Sequence, residues 1–254
     1  MAATAVFGFS LLLASSSAVQ ADEAQAKVLL KKMSDYMASQ KAFTFKYDSI
    51  LGAVTEDGQS LQLASSGKLK LHRPDKVYAS RAGGFVDLET YFDGTSLTIL
   101  DKNDNLYTQL PVTGSIDNLI GEMITKYDMP LPAGDLLATD SYDALMADVI
   151  DVKDLGSGVI DGVECDYIAL RKPDTDLQIW VAHGDKPYPC RFVITSKDVV
   201  GQPSYSVQLT NWKTHKSLAD WDFGFKNKSE AKKVELQDLR NTVLPPNFEA
   251  GDSQ

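Results

Sequence analysis

Ala42-Phe-Thr-Phe-Lys-Tyr-Asp48, with Glu56-Asp-Gly58 and Ser60–His72 after it, decides the fold. Phe43, Phe45 and Tyr47 alternate with Thr44, Lys46 and Asp48, the period of two that puts apolar side chains on one face of a strand and polar ones on the other. Asp57-Gly58 is a hairpin-closing dipeptide, because Gly takes positive φ at no steric cost. Leu61, Leu63, Leu69 and Leu71 then give the return strand its own apolar face, and Arg73-Pro-Asp75 ends it. Outward from this hairpin, alternating segments follow at Lys76–Arg81, Phe85–Phe92, Ser96–Asp101 and Leu106–Leu110. Gly83-Gly84, Asp93-Gly94 and Asn103-Asp-Asn105 separate them. Short turns without helical crossovers make an antiparallel meander, since parallel strands need a dozen or more residues to cross over.

Two helical regions flank or interrupt this pattern. In Asp22–Ser39 the apolar residues Leu29, Leu30, Met33, Tyr36 and Met37 recur at spacings of three and four, a single helical stripe. Ser115 can N-cap a second helix with Ile116, Leu119, Ile120, Met123 and Tyr127 on one face, which Pro130 and Pro132 break. Short helices are expected near Ala133–Ala138 and Tyr142–Val149. Strands resume at about Val159–Arg171, Leu177–Ala182, Cys190–Lys197, Ser204–Lys213 and near Asp222–Phe225. That makes about eleven strands, and with no Pro/Ser-rich linker between the two blocks, residues 22–254 read as one domain.

The chain has 254 residues and a net charge of −10, from 25 basic and 35 acidic side chains. Polyanion binding needs a concentrated Lys/Arg face, so nucleic acid is not an expected partner. No charged residue precedes Asp22. The apolar run Ala5-Val-Phe-Gly-Phe-Ser-Leu-Leu-Leu-Ala14 and the small residues Ser15-Ser-Ser-Ala-Val-Gln-Ala21 fit a secretory signal over residues 1–21, cleaved between Ala21 and Asp22. No Lys or Arg precedes the run, and a buried N-terminal helix is the competing reading. The run is too short to span a bilayer, and no later run is long enough, so the mature chain is expected to carry no transmembrane segment. Export to the periplasm is oxidising and favours pairing of the two cysteines, Cys165 and Cys190, which are not spaced as a redox-active C-x-x-C. If their strands flank Leu177–Ala182, the sulfurs can meet only where that middle strand has ended, at His183-Gly-Asp-Lys-Pro-Tyr-Pro189.

No catalytic constellation emerges. His72, His183 and His215 stand on separate segments outside any metal-ligand spacing, and neither G-x-S-x-G nor a P-loop occurs. Asp101-Lys-Asn-Asp-Asn105 begins like a calcium loop but has Leu106 at position six and Val112 at position twelve. Asp135, Asp140, Asp143, Asp148, Asp151 and Asp154 are accounted for by helix capping and the helix dipole. The expectation is no metal, no cofactor and no enzyme.

Ala42-Phe-Thr-Phe45, Leu71-His-Arg-Pro-Asp-Lys-Val77, Tyr91-Phe-Asp-Gly94, Tyr142-Asp-Ala-Leu-Met146, and Ile179-Trp180 followed by Tyr188-Pro-Cys-Arg191 carry a resemblance to a family of predicted proteobacterial periplasmic proteins with a domain-of-unknown-function label. That family is similar to the LolA-like superfamily of lipoprotein and lipid carriers (LolA, LolB, LppX). The resemblance implies a strongly curved, incomplete antiparallel β-barrel, mainly β with α, closed on its concave side by helices; it supplies no substrate. A half-barrel exposes an apolar concave face, and covering helices leave a cavity suited to acyl chains. Parity nominates Phe43, Phe45, Tyr47, Leu61, Leu63, Leu69, Leu71, Leu88, Phe92, Leu97 and Ile99 as inward-facing, whether as plain core or as ligand contacts. Arg81 shares the parity of Val77 and Ala79, so it either points inward to a lid carbonyl or ligand head group or stands at a solvated edge. The expected protein is a monomeric periplasmic carrier or sensor of a hydrophobic small molecule, lipid or acylated peptide. The alternatives are an envelope hydrolase built on convergent acids, or a partner-docking protein using the sheet edge or concave face.

Overall fold

β1 (Ala42–Val54) and β2 (Ser60–His72) pair without a slip from Ala42 opposite His72 to Val54 opposite Ser60, with Gly58 at φ 86° in the turn. The meander continues through β3 (Lys76–Gly83), β4 (Asp87–Phe92), β5 (Ser96–Asp101) and β6 (Leu106–Pro111). A second meander runs through β7 (Asp151–Ile160), β8 (Val163–Arg171), β9 (Thr175–Ala182), β10 (Pro189–Ser196) and β11 (Ser204–His215). β11 pairs antiparallel with β1, so the two meanders fuse into one open, curved sheet. A two-residue strand, β12 (Lys232–Lys233), adds parallel to β6 as the twelfth. The computed structural model describes residues 16–243 apart from 56, 130 and 132, and only the backbone of 16–21 and 241–243.

The strand order explains the helices. β6 and β7 lie near opposite edges of the sheet, so the chain between them must cross its whole width. It does so over the concave face as α2 (Ile116–Thr125), a 3-10 turn (Gly134–Leu137) and α3 (Ser141–Met146). Ser115 caps α2 by accepting the Asn118 N–H at 3.2 Å, and Ile116, Leu119, Ile120 and Met123 are its buried stripe. α1 (Ser16–Ser39) packs on β7, β9 and α3 with Ala26, Leu30, Met33 and Met37 buried. One core joins these residues to Val152, Ile168, Leu170 and Ile179 of the second meander. α4 (Leu236–Val243) packs beside β6.

Three expectations change. β7 is not expected as a strand: Gly156 (φ 82°), Gly158 and a bulge between Asp154 and Ser157 blur its alternation, and Asp161-Gly162 at φ 50° and 76° is the hairpin turn that separates it from β8. The strand expected near Asp222–Phe225 does not form. There Trp221, Phe223 and Phe225 alternate because the segment packs across the convex face, with Trp221 against Tyr78 at 5.0 Å and Phe225 against Tyr91 at 5.6 Å, rather than joining a ladder. The opening helix begins at Ser16 rather than Asp22, so the expected Ala21–Asp22 cleavage junction lies within α1; residues 1–15 of the expected signal lie outside the described residues. None of the described helices is long and apolar enough to cross a membrane.

Candidate functional site: an apolar cavity under the helical crossover

The crossover does not press flat onto the sheet. Between α2, the 3-10 turn and the concave surface of β10-β11-β1-β2-β3-β4-β5 lies a cavity of about 280 Å³. Phe45, Leu69, Leu88, Phe92, Leu97 and Ile99 line it from the sheet, with Ile116, Leu119, Ile120 and Leu136 above. Backbone hydrogen bonds hold the cover: Ile116 N–H donates to Pro74 O at 2.9 Å, and Gly114 N–H to Gly94 O at 3.0 Å. Arg73 adds a clamp, donating from Nη2 to Leu137 O at 3.0 Å and to Met37 O at 3.4 Å, which ties the β2–β3 turn to both the 3-10 turn and the end of α1. Burial depresses the Arg73 pKa, and Asp117 partly opposes the shift.

Eight of the twelve nominated residues line this cavity: Phe45, Tyr47, Leu69, Arg81, Leu88, Phe92, Leu97 and Ile99. Phe43 and Leu71 do not; both are 0% exposed and belong to the packed core, with Phe43 stacked on Trp212 at 4.8 Å. Leu61 and Leu63 are half-buried on β2 near the hairpin tip, beyond the cavity. Parity alone missed Tyr205, Val207 and Leu209, which join the wall because β11 pairs with β1. Their odd-number alternation was the available signal; their proximity to β1 depends on a contact between residues far apart in sequence. Arg81 does face inward, but its Nε donates to Ser65 Oγ at 2.9 Å rather than to a lid carbonyl; Arg73 reaches Leu137 O, and Arg240 reaches Tyr127 O and Asp128 O.

The polar residues of the lining are Tyr47, Ser80, Arg81, Thr90 and Tyr205, and the buried Ser49 and Ser65 stand behind them. Tyr47 OH donates to Ser80 O at 2.9 Å, and Ser49 Oγ and Ser65 Oγ share a hydrogen bond at 2.8 Å. Burial, reinforced by the neighbouring Tyr205 and opposed by the Arg81 charge, pushes the Tyr47 phenol up to about 12, and burial also raises Tyr205. Gly67 makes this packing possible: a Cβ there would sit 2.0 Å from Ser80 O and 2.5 Å from the Tyr47 ring. No carboxylate, histidine or cysteine among the described residues lines the cavity, so it holds no pair of acids for hydrolysis. Among the described residues no three His, Cys, Asp or Glu side chains group as a metal site.

Cys165 and Cys190 lie apart from the cavity, in a small buried cluster with Ala182. They meet where expected, across the end of β9, with Ala182 N–H donating to Tyr188 O at 2.9 Å. Their buried sulfurs face one another at 2.6 Å, with no bond joining them. Burial raises both thiol pKa values.

Residues 26–237 match the model of a family described as "Predicted periplasmic protein (DUF2092)". No curated protein matches the chain. Solved structures of similar fold include an uncharacterized conserved protein from Thermus thermophilus, with 10% identity over 83% of this chain and 98% of that one and a TM-score of 0.49. The lipoprotein LppX of Mycobacterium tuberculosis matches at 14% identity over 75% and 96%, TM-score 0.42. The LolA superfamily protein NE2245 of Nitrosomonas europaea matches at 10% over 79% and 97%, TM-score 0.39.

Proposed function

Because the chain belongs to the DUF2092 family of predicted periplasmic proteins, we propose that it is a non-catalytic carrier or sensor that holds a hydrophobic or acylated ligand in its concave cavity. The observation that carries this is the apolar cavity of about 280 Å³ beneath a cover pinned at its ends. A dry apolar void stabilises nothing by itself and binds apolar ligands readily. In this reading residues 1–21 are the export signal, Asp22 begins the mature chain, and Cys165–Cys190 closes to a disulfide in the oxidising compartment. Native mass spectrometry of protein purified from the periplasm should show a lipid-sized adduct on a monomer, and the denatured mass should correspond to a chain starting at Asp22. A homogeneous ligand-free mass with no extractable lipid would overturn the carrier.

One observation favours a second use. β7 ends the sheet, and Val159 on it is 70% exposed, so this edge offers backbone groups and apolar side chains to an added strand. A charged substitution, Val159→Lys, should abolish binding of any such partner and leave lipid content unchanged.

A further inference from the structure

At Tyr47, Gly67 and Arg81, three adjacent strands stand in register across the cavity wall. The missing side chain at Gly67 lets the Tyr47 ring lie across β2 to Ser80 O, and it leaves Arg81 beside the phenols of Tyr47 and Tyr205. Arg81 is half-buried, on a central strand of a chain whose net charge is −10. Its Nε is engaged by Ser65 Oγ, itself 2.8 Å from Ser49 Oγ, and both serines are buried. Arg81 makes no ion pair among the described residues, although eleven other pairs form on this chain. Arg81 lines the cavity, and its side-chain bond through Nε to Ser65 Oγ leaves its terminal nitrogens available to a ligand.

A cation held in a mostly apolar wall is costly unless something completes it. The serines fix the guanidinium's orientation and leave its outer edge free, the geometry that recognises a planar or tetrahedral oxyanion. The remaining wall is aliphatic and aromatic, suited to a hydrocarbon tail. About 280 Å³ lies just below the ~300–1,000 Å³ range of small-molecule sites, room for one tail rather than three.

We propose that the cavity takes a single-chain acidic amphiphile, its carboxylate or phosphate head on Arg81 beside Tyr47 and Tyr205 and its tail beneath α2. This rests on the carrier function proposed above and names its ligand class.

Calorimetric titration of delipidated protein with palmitate, hexadecyl phosphate and hexadecanol tests it, since the three share a tail and differ in head. Palmitate, hexadecyl phosphate or both should bind about tenfold or more tighter than hexadecanol, and which of the two does so identifies the head. Arg81→Gln should collapse that ratio to about one, while Arg81→Lys keeps part of it. Equal affinities for all three in the wild-type protein overturn the head-group site and leave the carrier standing. Binding of none overturns the carrier itself. A tripalmitoylated lipopeptide that binds as tightly as palmitate overturns the single-chain limit. If Arg81→Gln fails to fold, the wild-type ratio decides alone.

Discussion

The two halves of the concave face have the same kind of floor and different contents. Over β7–β9 lies α1, a long helix whose Leu30 and Met33 are wholly buried in one core with Ile168, Leu170 and Ile179. Over β1–β5 lie the ten-residue α2 and a four-residue 3-10 turn, and a cavity of about 280 Å³ remains beneath them. The difference follows from the covers. α1 lies along its half and inserts Leu side chains together with unbranched, flexible Met side chains that fill irregular gaps. The crossover is short, and its ends hang on hairpin carbonyls and Arg73, so it spans its half without settling into it. A curved sheet can thus keep a filled core and a binding void on one face.

The contrast is most exposed to Leu30→Ala. On the filled side this should cost about 2–5 kcal/mol, because close-packed neighbours cannot collapse into the gap. Leu119→Ala, already bordering the void, has fewer contacts to lose and should cost about 1–2 kcal/mol. Urea denaturation of both variants decides it, and equal losses would mean the cavity is not empty in solution. Next in size come the cysteines. If the pair is oxidised, Cys165→Ser and Cys190→Ser should each lose about 2–4 kcal/mol, and the double variant no more than either. Intact mass of the alkylated, non-reduced protein gives the thiol count independently; two labelled thiols would rule the bond out.

Arg73→Ala should loosen the hollow side and the end of α1 that Arg73 clamps to it. Its two carbonyl contacts are worth about 1–3 kcal/mol together, and amide exchange should quicken at residues 134–139 but not in β8 and β9. Uniform acceleration would show that the clamp serves global stability instead. The smallest effect is alkaline. Tyr47 is held up to about 12 when folded, while in the unfolded chain it ionises near 10. A raised folded pKa contributes stability that is fully present below pH 10 and is lost as pH rises through about 12. The urea midpoint should fall across that window, and Tyr47→Phe should remove part of the fall. Tyr188, also near 12 on burial, leaves the rest of the slope in place.

Much of the frame was legible because it is local. The Phe43–Phe45–Tyr47 alternation, the Asp57-Gly58 turn, the Ser115 cap and the α2 stripe are short-range patterns of period and turn chemistry, and the structure has each of them in place. The pattern failed where local signals mislead. Glycines and a bulge hid β7, and Trp221, Phe223 and Phe225 mimicked a strand while covering Tyr78 and Tyr91. The count of eleven major strands came out right only because one strand was missed and another wrongly added.

The sequence by itself determined which residues turn inward on each strand, since backbone geometry alternates side chains without reference to the rest of the chain. Only the tertiary structure decided which of them meet a cavity. Phe43 and Phe45 share one face of one strand and both stack on Trp212, yet only Phe45 lines the void. That depends on where β11 closes onto β1 and where the crossover from β6 to β7 comes to rest. These are contacts between distant segments, set by how separate surfaces fill shared volume, and no local period encodes them.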